Sequence, residues 1–172
     1  MGQFMVDFID DVLVYSKNIL EHESYLRPMF QQLHDETRLY ANKGKKFLCM
    51  VEVEYLGHIV STQGISMDPK KVSVILAWPV PENITALRSF LGLSGFYRRF
   101  IGRYSQIAAP LTDLLQDKVP YVWTSLQQQS FEALKQAVST APILKVVNLK
   151  KSFILETNAN GVAVGVVLGR DG

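Results

Sequence analysis

Residues 4–16, FMVDFIDDVLVYS, constrain the chain more than any other stretch. Two runs of aromatic and β-branched residues, 4–9 and 12–15, flank the polar pair Asp10-Asp11. Runs this short and apolar favour strands, and acidic residues between them suit a tight reversal. The pattern predicts a β-hairpin with two carboxylates at its tip. Turn chemistry alone accounts for such a pair. Adjacent carboxylates on a rigid tip also suit a hard divalent cation such as Mg²⁺, which takes oxygen ligands and keeps several waters.

Beyond the hairpin, Leu26, Met29, Phe30 and Leu33 recur at helical spacing, and Pro28 starts that helix near Ser24 or bends it. A turn is expected at Lys43, Gly44, Lys45 and Lys46, then strands over 47–50 and 53–60 with Gly57 inside the second, then a turn at Gln63-Gly64. Asp68-Pro69 reads as a helix start, with Val72, Ile75 and Leu76 as its buried face. Trp78-Pro79-Val80-Pro81 reads as a stiff boundary. The clearest helical pattern covers 84–103. Its buried stripe is Leu87, Phe90, Leu91 and Ser94, with Arg88, Arg98, Arg99 and Arg103 around it. Further helices are expected over 107–115, and after a cap at Thr124 or Ser125, carrying Phe131, Leu134 and Val138. The chain ends in a strand, a turn at 158–161 and a second strand. This order predicts an α+β fold with more than one subdomain.

Composition excludes several classes. With 172 residues, 48% hydrophobic and 20% charged, the chain has apolar surface enough for a core, which disordered, collagen-like and coiled-coil sequences lack. A formal net charge of +2 gives no argument for nucleic acid, so any such claim rests on where the charges sit. The single cysteine, Cys49, reads as a small buried hydrophobe, and His22, His34 and His58 are too scattered to be metal ligands. No apolar run is long enough to span a bilayer, so no membrane partner is expected and the default location is intracellular.

The run Phe8-Ile9-Asp10-Asp11 resembles the aromatic-x-Asp-Asp hairpin of reverse transcriptases, in particular those of gypsy-type long-terminal-repeat retrotransposon pol polyproteins. The resemblance continues in order along the chain. Tyr55-Leu56-Gly57-His58 resembles that family's Phe-Leu-Gly-His strand, and Asp68-Pro69-Lys70-Lys71-Val72 with Trp78-Pro79-Val80-Pro81 its link into the thumb. Leu87-Arg88-Ser89-Phe90-Leu91-Gly92-Leu93 and Tyr97-Arg98-Arg99-Phe100-Ile101 resemble its thumb helix. Ala109-Pro110-Leu111-Thr112, Trp123-Thr124 and Ala141-Pro142-Ile143-Leu144 continue the match.

The resemblance implies a C-terminal half of a polymerase palm over 1–78, a helical thumb over 79–118, a connection over 119–150, and the first hairpin of a ribonuclease H-like fold over 151–172. Asp10 and Asp11 would be two of three palm carboxylates for catalytic Mg²⁺, and Tyr55, Leu56, Gly57 and His58 would grip the primer end. Arg88, Gly92 and Phe96, four residues apart on one helix face, would follow the minor groove of an RNA/DNA template–primer duplex, with Arg98 and Arg99 as further phosphate contacts. Without the resemblance, Gly92 reads equally as a packing glycine and Phe96 as core.

The fingers and the third carboxylate would precede Phe4, so Mg²⁺ binding is expected to be weak or absent and this chain alone inactive. Asn158 stands where the family's ribonuclease H strand carries a metal-binding Asp, so nuclease activity is expected to be absent. The family origin implies a cytoplasmic location in virus-like particles, or a nuclear one. The alternative is a domesticated, retroelement-derived module that binds nucleic acid or protein without catalysis. Open strand edges imply self-association in either case.

Overall fold

The computed structural model describes residues 4–37, 47–145, 154–159 and 164–169. Contacts divide the chain into two compact units, Met1–Thr62 and Gln63–Gly172. The Trp78–Pro81 segment therefore lies inside the second unit.

In the first unit, β1 (Met5–Phe8) and β2 (Asp11–Val14) form an antiparallel hairpin in which Phe8 faces Asp11 and Asp7 faces Val12. The turn is thus Ile9-Asp10, one residue earlier than expected, and Asp11 is the first residue of β2. This register forces Ile9 to φ +54°. A β-branched residue in the left-handed region is strained, at a cost of roughly 1–3 kcal/mol.

Helix α1 (Ile19–Thr37) begins five residues ahead of Ser24 and carries Pro28 in its interior. Its start is set by capping. The Asn18 side-chain oxygen accepts from the Glu21 N–H at 2.9 Å, and the Glu21 carboxylate accepts from the Lys17 N–H at 2.7 Å. That second bond, with a further one from the Tyr25 hydroxyl, holds the Glu21 carboxyl below its usual range. The Phe4 and Tyr25 rings stack at 4.2 Å, so the turns ahead of Pro28 are pinned to the hairpin and the proline does not end the helix.

Residues 47–50 are not a strand, and Gly57 is not inside one. Instead β3 (Glu52–Tyr55) and β4 (His58–Ser61) form a second antiparallel hairpin closed by Leu56-Gly57. Both turn residues have positive φ, +47° and +72°, as a two-residue type I′ turn demands, and this is where glycine is needed. Cys49, expected to be buried, is exposed with φ +57°, because the segment around it pairs with no strand. The turn expected at Lys43, Gly44, Lys45 and Lys46 lies outside the described residues. None of the described residues of this unit is fully buried.

The second unit holds the core. Strand β5 (Gly64–Met67) leads into α2 (Pro69–Leu76), whose Asp68 cap accepts from the Lys70 N–H at 2.8 Å with Pro69 in the first helical position, as expected. Only Ile75 of its anticipated face is fully buried, and Leu76 is exposed. Gly64 is the first residue of β5 rather than part of a turn. Ile65 and Leu144 exchange two backbone hydrogen bonds of 2.8 Å, and a Cβ on Gly64 (φ +139°) would overlap the Leu144 carbonyl.

The helix expected over 84–103 is broken. Helix α3 (Ile84–Phe96) stops at Tyr97, a single 3-10 turn spans Arg98–Phe100, and α4 (Tyr104–Asp113) starts after Arg103 at φ +57°. Tyr97, Phe100 and Ile101 are all buried at the i, i+3, i+4 spacing that a continuous helix would also bury, so their spacing carries no sign of the break, which falls at the 3-10 turn and at Arg103 in the left-handed region. This break also moves the next helix, expected over 107–115, three residues earlier.

Helix α5 (Ser125–Ser139) is capped by Thr124 and packs on α4 and α2. Leu87, Phe90, Tyr97, Leu111, Phe131 and Leu134 are completely buried together, and Phe90 and Phe131 meet at 4.6 Å. The Tyr121 hydroxyl donates to the Pro81 carbonyl at 2.6 Å, and Lys135 donates to the Trp78 carbonyl at 2.9 Å while lying over the Phe131 ring. The segments read as thumb and connection thus share one core.

Strands β6 (Ile154–Ala159) and β7 (Val164–Gly169) pair as an antiparallel hairpin. Asn158 and Ala159, expected in the turn, lie in β6, and Asn158 faces Gly165. The rest of that turn lies outside the described residues.

Candidate functional site

Each unit offers one candidate surface. In the first, Asp10 occupies the tip of the β1–β2 hairpin and Asp11 the first position of β2, both exposed. Strained Ile9 beside them is also exposed, at 86%. Side chains alternate along a strand, so Asp11 shares a face with Phe8, while Asp7 lies on the opposite face with Val12. Two carboxylates leave most of a divalent ion's shell to water or to another ligand, which suits Mg²⁺ better than a cation needing a full protein cage. Among the described residues no group of three or more His, Cys, Asp or Glu side chains is placed to hold a metal.

The second hairpin reaches the first. The Tyr55 hydroxyl lies 3.4 Å from the Val6 carbonyl on β1 and 3.4 Å from the Asp11 carbonyl on β2. Desolvation raises the Tyr55 phenol above its ordinary value, and the negative charges of Asp11 and Asp7 add to that. His58 donates from Nδ1 to the Leu56 carbonyl at 2.9 Å, which fixes its ring across the turn. Of the four residues expected at the primer end, Tyr55 and His58 are half-buried and Leu56 is presented at the turn. The structure thus brings Tyr55 to Asp11.

In the second unit, α3 divides cleanly. Leu87, Phe90 and Ser94 point into the core, while Arg88, Ser89, Gly92 and Phe96 are exposed. A Cβ placed on Gly92 meets nothing within 4 Å, so packing gives no reason for a glycine there. Phe96 is 49% exposed and is not core. The packing glycine is Gly95, whose Cβ would stand 3.3 Å from the Tyr104 hydroxyl. That hydroxyl lies 3.1 Å from Ser94 Oγ, and burial pushes its phenol up against the lowering effects of Ser94 and Arg98. Arg98 and Arg99 sit exposed on the 3-10 turn, not on α3. Sequence reasoning missed Gly95, Tyr104 and the Tyr55 tether. Only the last left a signal, a tyrosine where the resembled motif carries phenylalanine.

Residues 123–171 match the family described as the RNase H-like domain found in reverse transcriptase. The chain is 35% identical over 166 residues to the retrovirus-related Pol polyprotein from transposon 297 of Drosophila melanogaster, covering 96% of this chain and 16% of that protein. It is 34% identical to the transposon Tf2-3 polyprotein of Schizosaccharomyces pombe, spanning 12% of it. An uncharacterized mitochondrial protein of Arabidopsis thaliana is 43% identical over 128 residues, 73% of this chain and 80% of that protein. Among solved structures, the foamy viral protease–reverse transcriptase in complex with double-stranded DNA aligns with a TM-score of 0.84 at 23% identity, covering 95% of this chain and 29% of that one. The same foamy viral protein in complex with an RNA/DNA hybrid aligns with a TM-score of 0.81, covering 25% of its chain. The chain therefore spans about a sixth or less of the transposon polyproteins it matches.

Proposed function

The chain belongs to the reverse-transcriptase region of transposon pol polyproteins, and from that premise we propose that it supplies two metal-binding carboxylates and a duplex-holding thumb for RNA-directed DNA synthesis. The observation that carries the reading is the outward face of α3. A helix-interior glycine costs about 1 kcal/mol against alanine, and nothing in the core repays it at Gly92. Its use is to let another backbone approach closely. Arg88 and Phe96, one turn to either side, supply a cation for phosphate or groove edges and an apolar surface for sugars.

Asp10 and Asp11 would hold Mg²⁺, and the bound ion would supply charge neutralisation for nucleotidyl transfer. The chain's own contribution is to present both carboxylates together at the end of one hairpin. Two ligands bind Mg²⁺ weakly and leave the attacking and leaving groups unaligned, so the chain by itself does not polymerise. Primer extension on an RNA template with Mg²⁺ tests this, and measurable incorporation overturns the inactivity.

Titration of a labelled RNA–DNA duplex at rising salt tests the thumb. Affinity at low salt should fall as salt rises, and Arg88→Ala should weaken it and flatten the salt slope by about one unit per lost phosphate contact. No binding at low salt, or no effect of either Arg88→Ala or Arg98→Ala, removes α3 and its 3-10 turn as the binding face.

A second reading, a retroelement-derived binding module without catalysis, is supported by the match over 80% of the Arabidopsis protein. In it the exposed apolar residues of β6 and β7, Leu155, Val164 and Val166, serve self-association. Light scattering in solution should then show a dimer or larger species, and a clean monomer at high concentration counts against it.

A further inference from the structure

We infer that the Tyr55 hydroxyl is a positioning group for the Asp10-Asp11 tip, tethering both strands of the acidic hairpin from the neighbouring hairpin; this rests on the metal-binding reading above. Besides the Phe4–Tyr25 stack with α1, the β1–β2 hairpin has little apolar support. None of the described residues of its unit is fully buried, and Phe8, Val6 and Val12 are exposed. A two-stranded hairpin of four-residue strands is marginal in water without such support. Ile9 adds strain at the tip, which persists only where the surroundings over-determine it.

The Tyr55 hydroxyl is placed to supply that constraint. It lies 3.4 Å from a carbonyl on each strand, Val6 and Asp11, so it spans the ladder and touches the residue that bears the carboxylate. The phenol has one proton to share between two carbonyl acceptors and both contacts are long, so together they are worth the lower end of a single hydrogen bond's range. Tyr55→Phe keeps the ring and removes only the hydroxyl.

The test uses the full chain and Mn²⁺ as the probe, with Tyr55→Phe, Asp11→Asn and the unaltered protein compared at pH 7. In metal-free protein, Tyr55→Phe should speed amide exchange in the β1–β2 hairpin about threefold and shift the Val6 and Asp11 carbonyl carbon resonances. On titration, Mn²⁺ should broaden the Tyr55 ring resonance early, a signature that a merely structural tyrosine remote from the ion does not give. Mn²⁺ affinity should fall about threefold in Tyr55→Phe and be lost in Asp11→Asn.

Unchanged hairpin exchange, carbonyl shifts and Mn²⁺ affinity in Tyr55→Phe overturn the tether while leaving the metal reading intact. Mn²⁺ binding that survives in Asp11→Asn overturns the metal reading, and the positioning role with it, whatever Tyr55→Phe does to the metal-free hairpin.

Discussion

Gly92→Ala separates folding from function in the second unit. Position 92 lies inside α3 with an open surrounding, so alanine gains helix propensity of about 0.8–1.0 kcal/mol and meets no clash. For a unit of this size that gain raises the melting temperature by about 4 °C. The same methyl stands between the helix backbone and any duplex seated on Arg88 and Phe96. Duplex affinity should fall about tenfold, roughly 1.4 kcal/mol.

Gly95→Ala is the paired control. Its Cβ would meet the Tyr104 hydroxyl at 3.3 Å, and that hydroxyl is held by Ser94. Overpacking costs about 1–3 kcal/mol and cancels or exceeds the propensity gain, so no rise in melting temperature is expected. Calorimetry and a fluorescence-anisotropy titration of an RNA–DNA duplex read both variants. If Gly92→Ala fails to stabilise, or stabilises and binds duplex as well as the parent, the argument from an open glycine is wrong.

Three further outcomes follow from the second unit. Truncating Phe131→Ala removes the ring that Phe90, Trp123 and Lys135 contact, and should cost about 3–5 kcal/mol in chemical denaturation. Gly64→Ala should destabilise the unit at least as much as a surface mutation never does, by more than about 1 kcal/mol, because the methyl would break the Ile65–Leu144 pairing and φ +139° suits glycine alone. Burial raises the Tyr104 phenol above the ordinary tyrosine value, so its contribution is fully present below about pH 10 and lost as pH climbs through the folded-state value. Urea midpoints taken across that alkaline range should fall more steeply in the parent than in Tyr104→Phe, and equal slopes would refute the assignment.

Local chemistry was legible where one or two neighbours settle it. Asp68 and Thr124 are capping residues because the orphan N–H groups they satisfy are two residues away, and no tertiary contact changes that. The buried stripe Leu87, Phe90, Ser94 was likewise legible, since helical spacing alone puts those positions on one face. The α3–α4 break was not. Arg98, Arg99 and Arg103 continue a helical pattern, and buried Tyr97, Phe100 and Ile101 keep to the same helical stripe, so the spacing along the chain carries no sign of the interruption. The acidic turn moved by one residue because strand pairing, not turn propensity, fixes register.

The order of motifs, from the acidic hairpin through the arginine-bearing helix to the terminal strands, determined the family and named Asp10, Asp11, Arg88 and Gly92, because such motifs are carried by residue identity along the chain. Which glycine packs and which lies bare, which tyrosine hydroxyl meets Asp11, and how deeply Phe96 sits were decided only by the tertiary structure. Those properties belong to pairs of atoms brought together across dozens of residues, and no single position encodes its distant neighbour.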